Sequence, residues 1–104
     1  MVTRIWEAKP MEARRAATLA ASIGEIYEKA GQRSSIQISF NGGTVPGETN
    51  RVYMRWITDK IDSPYRGANE VPEKARELGA KMREITVRSW IEFEEVLTKD
   101  KRQQ

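Results

Sequence analysis

The order in which strand-like and helix-like patterns of apolar residues follow one another constrains the fold of this chain more than any other feature of its sequence. Apolar residues recur with the period of a strand, then of a helix, of two strands, of a second helix and of a last strand. A chain of 104 residues is long enough for one domain with one core. We therefore predict an α+β domain over residues 1–97, with two helices on one face of a four-stranded antiparallel sheet, and a flexible polar tail over residues 98–104.

Apolar spacing and turn-forming residues set the limits of the predicted elements. The first helix is predicted to begin at Pro10, which a first turn tolerates, and to end at Gly31, which favours a left-handed cap. The second helix is predicted to begin at Pro72, and Gly79 weakens it by about 1 kcal/mol relative to Ala. We expect a register slip in the last strand near Ser89. The strands are predicted at residues 2–8, 34–40, 51–58 and 86–97.

Alternation within the strands predicts two different sheet faces. The face toward the helices is expected to be apolar, with Ile36, Ile38, Phe40, Val52, Met54, Trp56, Ile91 and Phe93. The opposite face is expected to be aromatic and charged, with Arg4, Trp6, Gln37, Ser39, Tyr53, Arg55, Arg88, Trp90 and Glu92. This second set is too aromatic for a purely solvated surface and too charged for a second core, so we expect a partner to cover it.

The chain contains neither cysteine nor histidine. This composition excludes disulfides, thiolate nucleophiles, Ser-His-Asp triads and histidine-ligated haem within the chain. Two loop carboxylates, Asp59 and Asp62, make a poor cation site because Lys60 lies between them. We expect no metal and no cofactor, and any catalysis must use Asp, Glu, Lys, Tyr or Arg.

Charge and hydropathy patterning indicate a protein of the cytoplasm. The net charge is +3, but acidic and basic residues alternate along the chain, and basic residues cluster only in the tail KDKRQQ. The first ten residues, MVTRIWEAKP, lack the apolar stretch of a secretory signal, and no run approaches the roughly 20 apolar residues that span a bilayer. We therefore expect a cytoplasmic location and no membrane partner.

Three features together resemble the dimeric α+β barrel superfamily: the element order, the hairpin tip GGTVPGETN and the closing strand SWIEFEEVL. Within this superfamily, the NIPSNAP-like and antibiotic-biosynthesis monooxygenase-like families have the most similar sequence pattern. The resemblance implies a ferredoxin-like βαββαβ fold whose sheets pair face to face in a homodimer. The enclosed cavity of some members binds or oxidises small organic molecules. Members with histidine-ligated haem are not matched, since this chain has no histidine.

Such a cavity gives roles to the residues of the second sheet face. Its rings would stack on a planar ligand and its guanidinium groups would bind an anion, which makes the ligand-binding candidates Trp6, Arg55, Arg88 and Trp90. Glu92 or Tyr53 would move a proton in a cofactor-independent oxygenase or isomerase reaction. The irregular connection at residues 59–70 would close over this face as a lid. In the alternative interpretation, the charges of this face pair with one another across strands and between subunits.

Two other functions remain compatible with the sequence. RNA-recognition domains share the element order, and Trp6, Tyr53 and Trp90 would stack the bases of single-stranded RNA. Against this function, the segment NRVYMRWI lacks the usual signature, and Glu92 and Glu94 would repel phosphate. The sequence therefore favours a small-molecule ligand over nucleic acid. A structural or interaction dimer without a ligand is the third interpretation.

Overall fold

A computed structural model describes residues 1–31, 33, 35–41, 50–58 and 72–103. Both predicted helices and all four predicted strands are present in these ranges. The elements are β1 (Val2–Ala8), α1 (Ala13–Lys29), β2 (Gln37–Phe40), β3 (Arg51–Trp56), α2 (Glu73–Ile85) and β4 (Thr86–Phe93), followed by a short 3-10 helix (Lys99–Lys101). The predicted lid at residues 59–70 lies outside the described residues, as do residues 42–49 of the predicted hairpin tip.

The four strands form one antiparallel sheet in the order β2-β3-β1-β4. Two helices and this sheet make an α+β fold, as predicted. Because β1 and β3 are central, each helix connects a central strand with an edge strand. The arrangement is compatible with the ferredoxin-like fold that the resemblance implies.

Helix α1 packs closely on the sheet because its buried stripe consists mainly of small residues. The helix begins at Ala13 instead of Pro10, since Met11 has a φ of 66° and this left-handed backbone interrupts a helix. Gly31 has a φ of 71° and ends the helix region as predicted. A Cβ at Gly24 would lie 3.1 Å from Ile36 Cγ2, so this glycine permits the close approach of the helix to the neighbouring chain.

The core lies between the helices and the central strands. Val52, Met54 and Trp56 of β3 are buried in the core beneath α1, as the alternation predicts. Phe40 and Phe93 belong to the same face but are each 44% exposed, because they end the two edge strands. The predicted core face is therefore confirmed at its centre and opens at its edges.

The predicted faces of β1 are wrong at Arg4 and Trp6. Arg4 pairs with Met54 and Trp6 pairs with Val52, so both lie on the face toward the helices. Trp6 is only 7% exposed and belongs to the core. The prediction failed because β1 has apolar residues on both faces, with Ile5 on the other one, so its alternation does not distinguish them.

Strand β4 contains the irregularity that the sequence predicts, two residues earlier than expected. Glu7 pairs with Arg88 and Ala8 pairs with Thr86, so Val87 has no partner residue in β1. The strand then alternates regularly and ends at Phe93, four residues before the predicted limit. The shift sets the register that places Arg88 and Trp90 on the face away from the helices.

Candidate binding site on the open sheet face

Neither helix packs on the second face of the sheet, which we call the open face. Cross-strand pairing arranges its side chains in three rows. The rows are Gln37, Arg55, Thr3 and Glu92, then Ser39, Tyr53, Ile5 and Trp90, and finally Arg51, Glu7 and Arg88. The middle row is the most apolar, and the charged residues lie in the rows on both sides of it.

The centre of the open face is buried, although no helix of the described residues covers it. Ile5 is 3% exposed and Thr3 is 2% exposed. Both lie on the central strand β1, between the longer side chains of β3 and β4. Long aromatic and arginine side chains can cover apolar surface with their stems and rings. The open face therefore has its own small core, which its neighbours in the sheet protect from water.

Guanidinium groups lie over both aromatic rings of the middle row. The Cζ atoms of Arg51 and Arg88 lie 5.3 and 4.9 Å from the ring centroid of Trp90. The Cζ atom of Arg55 lies 4.7 Å from the ring centroid of Tyr53. These distances are in the range of cation–π attraction. Positive charge and aromatic surface thus occupy the same place on the face.

Arg88 and Arg55 on this face differ in the charge of their hydrogen-bond partners. Arg88 Nε donates to Glu7 Oε2 at 2.9 Å, which is the cross-strand pairing that the alternative interpretation predicts. Arg55 Nη1 instead donates to Ser39 Oγ at 3.1 Å, and within the described residues Arg55 has no carboxylate partner. Trp90 Nε1 donates to Glu92 Oε1 at 3.2 Å. Arg55 is therefore a cation whose charge the described chain leaves uncompensated.

The sequence-predicted site residues are brought together with one exception. Tyr53, Arg55, Arg88, Trp90 and Glu92 all lie on the open face. Trp6 does not, since it is buried beneath the helices on the other face. Arg51, Ile5 and Glu7 were missed as site residues. Arg51 has the same parity as Tyr53 in β3, so strict alternation would have found it, whereas Ile5 and Glu7 required the register of β1.

The described residues contain no group of three or more Asp, Glu, His or Cys side chains that could hold a metal ion. In the same part of the chain, no helix is both long and apolar enough to cross a membrane. Away from the open face, Thr98 Oγ1 donates to Asp100 Oδ1 at 2.6 Å. This hydrogen bond stabilises the carboxylate and lowers the pKa of Asp100 below its usual value.

No protein-family model and no curated protein matches this chain. The functional argument therefore depends on the open face itself.

Proposed function

We propose that the open face is the functional surface of this protein, that two copies of the chain pair through it, and that the pair holds a planar organic anion. The observation that carries the proposal is the middle row, where Tyr53 and Trp90 lie on either side of Ile5 with guanidinium groups over both rings. A planar anion can stack on such rings and bind the guanidinium groups in the same position.

Apolar area supports pairing through this face. The aromatic row lies on a sheet surface that neither helix covers, and covering it stabilises a complex by about 25 cal/mol for each Å² of apolar surface removed from water. An isologous pair presents the same face from both copies, which is the commonest symmetry of soluble oligomers. Two ferredoxin-like sheets paired in this way would form the dimeric barrel that the sequence resemblance implies.

Charge supports an anion as the enclosed ligand. Among the described residues of the open face, Arg88 is paired with the Glu7 carboxylate, whereas Arg55 has no carboxylate partner. Pairing two such faces brings the positive charge of Arg55 out of water, and this is costly unless an anion offsets it. Arg55 is the strongest candidate to bind the anion, because its polar contact within the described residues is to the neutral hydroxyl of Ser39.

The same carboxylates argue against RNA as the ligand. Affinity for single strands comes largely from cations along the phosphate backbone, and Glu7 and Glu92 interrupt the positive surface of the open face. A small anion needs only one or two guanidinium groups, and it can bind without meeting either carboxylate. The open face therefore suits a compact ligand better than a polymer.

A more specific form of the proposal is that the protein also catalyses a reaction of the bound anion. Glu92 and Tyr53 lie on strands separated by β1, about 10 Å apart across two strand spacings. Glu92 lies in the row beside Trp90, so a ligand on the middle row would have Tyr53 at one end and Glu92, as the base, beside the other end. If turnover of the cofactor-independent oxygenase or isomerase type occurs, Glu92→Gln should abolish it and leave ligand affinity within about twofold.

The first experiment measures the mass in solution by light scattering. A stable mass of twice 11.9 kDa is expected. Trp90→Ala should shift the protein toward the monomer, because it removes an aromatic ring from the middle row. Arg14→Ala, on the exposed surface of α1, is the matched control and should stay dimeric. A monomer at all concentrations would contradict the pairing.

The second experiment measures binding of naphthalene-2-carboxylate, with the neutral carboxamide for comparison. The anion should bind more tightly than the amide, and Arg55→Ala should weaken it about tenfold while Arg14→Ala has no effect. A dimer that binds neither probe would favour the structural interpretation. Salt-dependent binding of an oligouridylate that requires Tyr53 and Trp90 would favour the RNA interpretation instead.

A further inference from the structure

A cleft on the other side of the sheet is lined by three arginines from two elements. It lies between α1, α2 and the strands β1 and β4, and its volume is about 520 Å³. Arg4 enters it from β1, and Arg76 and Arg83 enter it from α2. None of the described residues that line the cleft carries a carboxylate. The described lining is therefore positively charged.

The inner part of the cleft is apolar. Its lining includes the buried side chains of Trp6, Tyr27 and Met82. Hydroxyl groups stand beside the cations, and Ser89 Oγ accepts a hydrogen bond from Arg4 Nη2 at 3.0 Å. An apolar floor with a few convergent polar groups is typical of small-molecule sites, and the volume falls within their usual range.

The arginines of α2 are free to bind a ligand. Neither Arg76 nor Arg83 makes a side-chain hydrogen bond or an ion pair with any of the described residues. Glu73 lies three residues before Arg76, a spacing that allows an ion pair on a helix, and yet this pair is not formed. The two guanidinium groups thus line the cleft without intramolecular compensation of their charge.

Gly79 keeps the cleft open. It lies between Arg76 and Arg83 along the same side of α2, at spacings of three and four residues. A glycine in a helix interior is unfavourable relative to alanine. A Cβ at this position would meet only Arg83 Nη1, at 4.0 Å, so no packing contact with the rest of the protein requires a glycine. Its absent side chain leaves space between the two guanidinium groups.

We propose that this cleft is a binding site for a small organic phosphate, with the phosphate held by Arg4, Arg76 and Arg83 and the apolar body on the Trp6 and Tyr27 floor. A phosphate ester carries close to two negative charges and accepts bidentate hydrogen bonds from guanidinium groups. Its two charges match the two guanidinium groups of Arg76 and Arg83, which have no ion-pair partner among the described residues, better than a single carboxylate does. The cleft is independent of the open face, since the sheet lies between them.

The test is titration with 1-naphthyl phosphate, followed by calorimetry and by the amide NMR signals of α2. The ester should bind more tightly than either inorganic phosphate or 1-naphthol, and the amide signal of Gly79 should shift. Arg83→Ala should weaken binding at the cleft about tenfold, as followed at the Gly79 amide, whereas Arg14→Ala on the exposed surface of α1 should leave it unchanged. Equal weakening by Arg14→Ala, or an unchanged affinity in Arg83→Ala, would overturn the proposal.

Gly79 offers a second, sterically defined pair of variants. Gly79→Leu should abolish binding by filling the cleft, while its thermal midpoint rises because leucine favours a helix. Gly79→Ala is the matched control, and it should raise the midpoint and keep affinity within about threefold. Tight binding in Gly79→Leu, or no saturable binding of 1-naphthyl phosphate to the unchanged protein, would show that the cleft is not a site for organic phosphates.

Discussion

The two faces of the sheet bury their central residues by different means. On the covered face, Met54 is 1% exposed because α1 packs over it. On the open face, Ile5 is 3% exposed although neither helix covers it, and aromatic and arginine side chains of the neighbouring strands lie around it. Fixed helices make a permanent core, whereas side chains can move aside for a ligand or a second sheet. Equal burial in one chain therefore does not mean equal function.

The largest expected difference between the faces is at their tryptophans. Trp6→Ala should lower the free energy of unfolding by about 3–5 kcal/mol, because it leaves a cavity beneath the helices. Trp90→Ala should lower it by about 1 kcal/mol, since the removed ring is partly exposed and its space is open to water. Urea denaturation at one low protein concentration measures both values without a contribution from pairing. Equal losses would mean that the open face is as rigidly packed as the core.

The arginines of the two faces provide the next comparison. The Arg33 guanidinium is buried, with its Cζ 3.7 Å from the Tyr27 ring centroid and 4.1 Å from that of Trp56. Arg33→Ala should cost about 2 kcal/mol of stability, because cation–π attraction is stronger away from water. Arg55→Ala on the open face should cost about 0.5 kcal/mol. If denaturation shows a larger loss of stability in Arg55→Ala than in Arg33→Ala, the contribution assigned to the open-face arginine is too low.

A substitution at Thr3 tests whether a buried hydroxyl of the open face has a hydrogen-bond partner. Its hydroxyl is buried and has no hydrogen-bond partner among the described residues. Thr3→Val keeps the shape and removes the unpaired hydroxyl, so it should raise the free energy of unfolding by about 1 kcal/mol. The control is Thr86→Val, which should lower stability because Thr86 Oγ1 donates to the Met82 carbonyl at 2.9 Å. A loss of stability in Thr3→Val would indicate a partner for this hydroxyl.

The smallest expected effect is that of the ion pair between Glu7 and Arg88. Their side chains are 31% and 61% exposed, so water screens the attraction. A double-mutant cycle with Glu7→Gln and Arg88→Gln should give a coupling free energy of about 0.5 kcal/mol at low salt. In the monomer, at low protein concentration, the coupling should vanish near 1 M salt, where charges are screened over a few ångströms. A coupling that survives high salt in the monomer would mean that the chain itself shields this ion pair from water.

Sequence periodicity predicted the elements well where one face alone is apolar. In β3, Val52, Met54 and Trp56 alternate with Arg51, Tyr53 and Arg55, and the structure confirms this division. The same reasoning failed in β1. Sequence alone also did not single out Arg76 and Arg83, because α2 has acidic and basic residues interspersed along its length. Only the packing of α2 places these two arginines at the cleft.

The sequence by itself determined the number, type and order of the elements, because hydrophobic period and the Pro and Gly positions are local properties of a chain. It also assigned Tyr53, Arg55, Arg88, Trp90 and Glu92 to one face. The tertiary structure decided which side of β1 meets the helices, since that depends on pairing with residues some fifty positions away. It alone decided that Arg4 and Trp6 line the cleft with α2, because non-local packing creates the space between elements.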